Sequence, residues 1–218
     1  MSVSKCCISG FTWSGTPSGR TGKLANNDVY IAGDNPDIAI LFIADLFGWK
    51  FPNKFDQLDL KGFTARNGRE QREGEIFRTA RALKRDLGFK KVGAVGYCYG
   101  GWASFRLGAK EHAEQGQPLV DCISIGHPSW FTKKDIDEVS VPVQILAPEI
   151  DPAYPAEMKS YTFEALQRVN LPFEYRHFPG VVHACFIRGD ENKPGERDAM
   201  IKGKNAAVSW FTQYLKNA

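Results

Sequence analysis

One cysteine in this sequence stands where a nucleophile would have to stand. Gly96-Tyr97-Cys98-Tyr99-Gly100-Gly101 follows directly on the apolar run Val92-Gly93-Ala94-Val95, and a helical pattern opens at Trp102. A strand that ends in a tight, glycine-flanked turn and passes straight into a helix holds its central residue in a strained backbone conformation, with no room for neighbouring side chains. That residue is lifted clear of the sheet beside the N–H groups of a helix N-terminus, where the dipole favours a thiolate. The chemistry on offer is attack on a carbonyl by Cys98, from what is termed a nucleophile elbow. The same stretch also reads as a glycine-rich strand-to-helix turn that simply buries a cysteine, which is common in parallel sheets.

A thiol nucleophile needs a base, and the base needs a group to orient it. Val141–Ala147 and Phe173–Phe178 read as strands, followed by Pro148-Glu149-Ile150-Asp151-Pro152 and by Pro179-Gly180-Val181-Val182-His183. Asp151 and His183 therefore lie just past the C-terminal ends of strands, where open α/β sheets gather their sites. Cys98, Asp151 and His183 form the candidate triad. Glu149 is a rival for Asp151, although Asp151 sits farther along the loop and is rigidified by Pro152 and Pro155. Of the other histidines, His112 falls in a polar helical stretch and is expected to be solvated. His177 lies in a strand and reads as structural. His127, after the strand Cys122–Ile125, either lines the pocket or is structural.

With these residues in view, the sequence resembles the dienelactone hydrolase family, in its fungal-type branch. The residues that carry the resemblance are Asp45-Leu46-Phe47-Gly48-Trp49, the elbow, Asp151 with Pro155, and Gly180-Val181-Val182-His183 with Phe186 and Arg188. It extends from about Cys6 to the C-terminal helix, and the order nucleophile, acid, histidine is that of α/β-hydrolases. The resemblance implies a mostly parallel central sheet with helices on both faces. It implies Cys98 as nucleophile, His183 as base, Asp151 as its partner and the backbone N–H groups of Leu46 and Tyr99 as oxyanion hole. Arg188 would pair with a substrate carboxylate, its other reading being a solvated surface arginine. The implied reaction is hydrolysis of a small ester or lactone, of the dienelactone or carboxymethylenebutenolide kind, with no cofactor and no metal.

The chain departs from the family in two places. Bacterial members carry a Glu, which interacts with the resting thiol, where this chain has Asp45. Between Phe47 and the helix near Gln71 the family has a helix and a further strand, whereas Lys50–Gly68 is polar with no apolar run for a buried strand. A helix-plus-strand unit of roughly 30 residues is missing, so the sheet is expected to be incomplete near Asn53–Lys54, through omitted residues or a shortened isoform. Two other functional classes stay open. One is a non-catalytic member that keeps the pocket for binding. The other is a class I glutamine amidotransferase, which expects an acid two residues after the histidine, where Cys185 stands.

The rest of the sequence suits a single α/β domain over residues 1–218. A net charge of +3 with 24% charged residues gives no indication of nucleic acid or a membrane surface as partner. No apolar stretch reaches the roughly 18 residues of a membrane span, and Met1–Gly10 lacks the apolar core of a signal peptide. The five cysteines form no Cys-x-x-Cys pair and no zinc spacing. A cytoplasmic monomer or homodimer is the expectation. Ile38–Ile43 reads as a strand covered on both faces, with Lys91–Gly96 as its parallel neighbour. Ile76, Ala80, Leu83 and Leu87 mark a helix ending before Gly88, and Pro155–Val169 and Asp198–Leu215 mark two more. Cys6–Ile31 is expected to add short antiparallel strands at the sheet edge. Arg66, Arg69, Arg72, Arg78, Arg81 and Arg85, interleaved with Glu70, Glu73 and Glu75, read as a charged helix face. Trp49, Tyr97, Tyr99 and Trp130 are candidates to wall a pocket.

Overall fold

The computed structural model of the chain describes residues 16–48, 59–190 and 192–216. Cys6, Cys7, Trp49 and the Asn53–Lys54 junction lie outside these residues.

Strands β3 (Ile38–Ile43), β4 (Lys91–Tyr97), β5 (Cys122–Gly126), β6 (Val143–Ile150) and β7 (Phe173–Val182) form one parallel sheet, whose spatial order is their order along the chain. β4 and β5 are buried almost throughout, as continuous apolar runs in a parallel sheet require. Ile38 lies opposite Lys91 and Ile43 opposite Gly96, the expected pairing of β3 with β4.

Helices cover both faces. On one, Val92, Ala94, Ile123, Ile125 and Ile145 meet α2 (Arg69–Arg85), α3 (Gly100–Leu107), α4 (Lys133–Asp137) and α5 (Ala156–Arg168). On the other, Val95, Tyr97, Cys122 and Leu146 meet α6 (Cys185–Arg188) and α7 (Pro194–Phe211), whose last turn, Thr212–Lys216, is π-helical. Gly93 lets this helix close on the sheet, since a Cβ there would stand 2.6 Å from the Phe211 ring. Buried Gln144 joins the two layers. Its Oε1 accepts from Ser124 Oγ at 2.6 Å and its Nε2 donates to the Ala206 carbonyl at 3.1 Å.

Three expectations are corrected. The early strands β1 (Arg20–Leu24) and β2 (Asn27–Ile31) pair antiparallel, but as a two-stranded sheet of their own and not at the edge of the main one. Among the described residues no strand lies outside β3 to bridge the two sheets. Nor is β3 covered on both faces: Ile40 and Phe42, two residues apart and so on one face, are 47% and 57% exposed. Leu87 is exposed as well, because α2 ends at Arg85 and Gly88 takes φ +75°.

The arginine run is a solvated face only in part, with Arg66, Arg78 and Arg85 exposed and Arg69, Arg72 and Arg81 half-buried. Arg69 grips buried Asp135 through two hydrogen bonds of 2.7 and 2.8 Å, and Arg81 and Arg85 both bond Glu114. Arg66 does stay exposed, 3.5 Å from Asp59 in the preceding turn of α1 (Leu60–Asn67). Glu73 reaches across to Arg106, whose side chain is 8% exposed and also holds Glu111 and Glu138. His112, expected in solvent, packs on the Phe77 ring at 4.4 Å and bonds Arg106. Burial, with the guanidinium beside it, lowers its pKa below the usual imidazole value.

Candidate active site

The elbow forms as its sequence demands. β4 ends at Tyr97, Cys98 takes φ +52° and α3 opens at Gly100. A Cβ on Gly96 would stand 2.0 Å from the Gly100 carbonyl oxygen, and one on Gly100 would stand 2.3 Å from that of Ile43. No side chain fits at either position, so the glycines are what allow strand, turn and helix to lie this close. The turn is clasped from β5 as well. The Cys98 N–H donates to the Gly126 carbonyl at 3.1 Å, and the Ser129 N–H donates to the Cys98 carbonyl at 2.9 Å. Cys98 is buried, and its Sγ lies 3.5 Å from Ser129 Oγ.

Asp151 and His183 come together at the ends of β6 and β7. His183 Nδ1 lies 2.7 Å from Asp151 Oδ1, with both side chains at most 1% exposed. The same carboxylate oxygen accepts the N–H groups of Ala153 and Tyr154 at 2.9 and 3.0 Å, which fixes Asp151 in the loop. Glu149, the rival acid, is exposed and accepts from the Gly180 N–H at 2.6 Å. The Cys98 thiol and the Ser129 hydroxyl lie within hydrogen-bond reach, and His183 is joined directly to Asp151. The N–H groups of Leu46 and Tyr99 have no hydrogen-bond partner among the described residues.

Asp45 and Arg188 are engaged with each other. The guanidinium bonds both carboxylate oxygens, Nη2 to Oδ1 at 2.7 Å, and lies over the Phe47 ring at 4.2 Å. With side chains 5% and 11% exposed, neither is a solvated surface group. Asp45 Oδ1 also accepts from the Phe47 N–H at 3.0 Å and so shapes the turn after β3.

His127 is fully buried and packs edge-on against His183, with ring centroids 4.8 Å apart, and flat against Phe186 at 5.4 Å. Neither ring nitrogen has a hydrogen-bond partner. Burial, with His183 and Arg188 nearby, holds its pKa well below the usual imidazole value, so the ring is neutral. His177 is exposed on β7. Cys122 and Cys185 are fully buried, and burial pushes both thiols up, Cys122 to about 12.

A cavity of about 530 Å³ borders Asp45–Gly48 and Tyr99, with Ile43, Phe63 and Ile76 on its apolar side and Arg66, Arg72 and Glu75 on its polar side. It touches Leu46 and Tyr99 without being lined by Cys98 or His183. Of the aromatic residues considered for a pocket wall, Tyr99 lines this cavity. Trp130 packs behind it at 5.3 Å, and Tyr97 is buried against His127 at 5.6 Å. Among the described residues no group of His, Cys, Asp or Glu could hold a metal ion, and no helix is long and apolar enough to cross a membrane. Ser129 carried no signal in the sequence beyond its place after a strand-end His-Pro pair, which any loop serine could share.

Residues 42–215 match the model of the dienelactone hydrolase family. The chain is 26% identical to hydrolase tropI of Talaromyces stipitatus, over 97% of this chain and 96% of that one. The chain is 22% identical to the human carboxymethylenebutenolidase homolog, over 90% of this chain and 91% of that one. In fold it resembles a crystal structure from Klebsiella pneumoniae subsp. pneumoniae assigned to the dienelactone hydrolases. The TM-score is 0.66 at 14% identity, over 91% of this chain and 100% of the other.

Proposed function

The chain belongs to the dienelactone hydrolase family, and on that premise we propose that it hydrolyses a small carboxylic ester or lactone through a covalent intermediate on Cys98. The observation that carries this reading is the buried 2.7 Å contact between His183 and Asp151, on the same sheet end as a cysteine held at φ +52°.

The chemistry follows from those groups. The thiol gives up its proton to His183, and the thiolate attacks the substrate carbonyl carbon. The carbonyl oxygen becomes an oxyanion facing the Leu46 and Tyr99 N–H groups, and each such donor commonly contributes about 2.7–4 kcal/mol. Collapse breaks the carbon–oxygen bond of the ester, and the leaving alkoxide takes the proton from His183. The imidazole then removes a proton from water, which attacks the thioester. The acid departs and the thiol is restored. Asp151 keeps the His183 tautomer and balances the imidazolium. Arg188 would read a carboxylate on the substrate by exchanging it for Asp45.

The test is hydrolysis of a panel of aryl esters and unsaturated lactones. Cys98→Ala is expected to abolish turnover, while Cys122→Ala and Cys185→Ala retain it. Full activity in the Cys98→Ala protein would overturn the covalent step. The uncovered strand β3 favours a second reading, a non-catalytic member that binds in the same pocket. Ligand binding without turnover by the intact chain would establish it. An amidotransferase has less support, because the residue two past His183 is buried Cys185 and not an acid.

A further inference from the structure

The turn that connects β5 to α4 touches both halves of the site. Ser129 lies against Cys98, and His127 lies against His183. The turn is held in a costly form: His127 and Trp130, neither a glycine, take φ +36° and +63°, and both nitrogens of a fully buried imidazole go unbonded. A core built for packing alone would avoid a polar ring there, and such departures cluster where a backbone is held for function. Four hydrogen bonds fix the turn, from Cys98 N–H to Gly126, from Ser129 N–H to Cys98, from His127 N–H to Leu146 and from the Arg69 guanidinium to the Trp130 carbonyl.

We propose that Ser129 is a positioning residue, whose hydroxyl, aimed by this turn, donates a hydrogen bond to the Cys98 thiolate and holds it ready for attack. The hydroxyl can rotate. It accepts from the thiol at rest and donates once the proton has gone, and the bond to the charged sulfur is the stronger of the two. Ser129 thereby favours the thiolate over the thiol. Asp45 does not fill this place, since Arg188 occupies both its carboxylate oxygens. The proposal rests on Cys98 as nucleophile, but it can be tested without turnover.

The experiment is alkylation of the full chain by iodoacetamide at pH 7, read at each cysteine by mass spectrometry, with kcat and KM for an aryl ester measured alongside. Ser129→Ala is expected to slow Cys98 alkylation about tenfold and to lower kcat by a similar factor at unchanged KM. Ser129→Thr keeps the hydroxyl and restores both. Cys122 and Cys185 stay protected in every variant, because the effect is local. An unchanged Cys98 rate in Ser129→Ala overturns the proposal, as does a folded Ser129→Thr that fails to restore it, or reaction at Cys122 and Cys185, the mark of general loosening. Should the threonine methyl prevent folding, the alanine variant and the two buried cysteines decide alone. A chain that turns over no ester, yet shows the alkylation pattern, sinks the hydrolase reading and leaves the role of Ser129 standing.

Discussion

At the scale of single residues, the Asp151–His183 contact makes the sharpest demand. Asp151→Asn keeps an oxygen for the Ala153 and Tyr154 N–H groups but cannot balance an imidazolium. Turnover of an aryl ester is expected to fall about 10³–10⁴-fold, with the fold intact by circular dichroism. Arg188 needs a different design. Arg188→Met alone leaves Asp45 buried and unpaired, which costs about 3–5 kcal/mol, so the informative protein carries Asp45→Asn as well. In that background KM is expected to rise about tenfold for acidic esters and to stay unchanged for neutral ones. An equal change for both would remove Arg188 from substrate recognition. The placement of Cys98, Asp151 and His183 was legible in sequence because each follows directly on a stretch that reads as a strand. The Arg188–Asp45 pair was not, since it joins residues 143 apart in sequence and periodicity carries nothing over that distance.

Among the elements, the weight rests on Arg106, which ties α3 to α2 and α4 through Glu73, Glu111 and Glu138. Arg106→Met leaves those carboxylates facing one another around an 8%-exposed position, and urea unfolding is expected to show a loss of about 3 kcal/mol. The pH dependence has a definite sign. The hydrogen bond from Arg106 holds the Glu111 carboxyl at about 2, against 4.5 for a free one. Its contribution is therefore complete above about pH 4.5 and is lost as the pH falls toward 2. The variant should lose less stability than the parent across that window, and parallel curves would show that Arg106 does not set it. The central strands were readable because burial on both faces leaves an unbroken apolar run. α1 was not, because it has no apolar stripe, and its one local signal is the Asp59 cap accepting from the Gly62 N–H at 2.8 Å.

For the molecule as a whole, the two edges of the sheet differ. β7 presents Arg176, His177 and Pro179 to solvent, groups that discourage pairing with another strand, whereas β3 presents Ile40 and Phe42. Phe42→Lys is expected to reduce concentration-dependent light scattering while changing stability by under about 1 kcal/mol. Unchanged scattering would show that the edge is protected in another way. The polarity of Lys50–Gly68 led to the expectation of an incomplete sheet, and among the described residues no strand lies outside β3. What the sequence could not reveal was that β1 and β2 would stand apart, since that follows from which strand lies between them and the rest. The order β3-β4-β5-β6-β7 has a consequence during synthesis. Each new strand pairs with the one made just before it, so the sheet can be laid down strand by strand as the chain leaves the ribosome. The elbow is complete once β5 has emerged, Asp151 follows behind β6, and His183 comes only after β7. The thiol is thus built long before the base that would arm it, and Arg188 then fastens the newest stretch of chain to the turn after the oldest strand of the sheet.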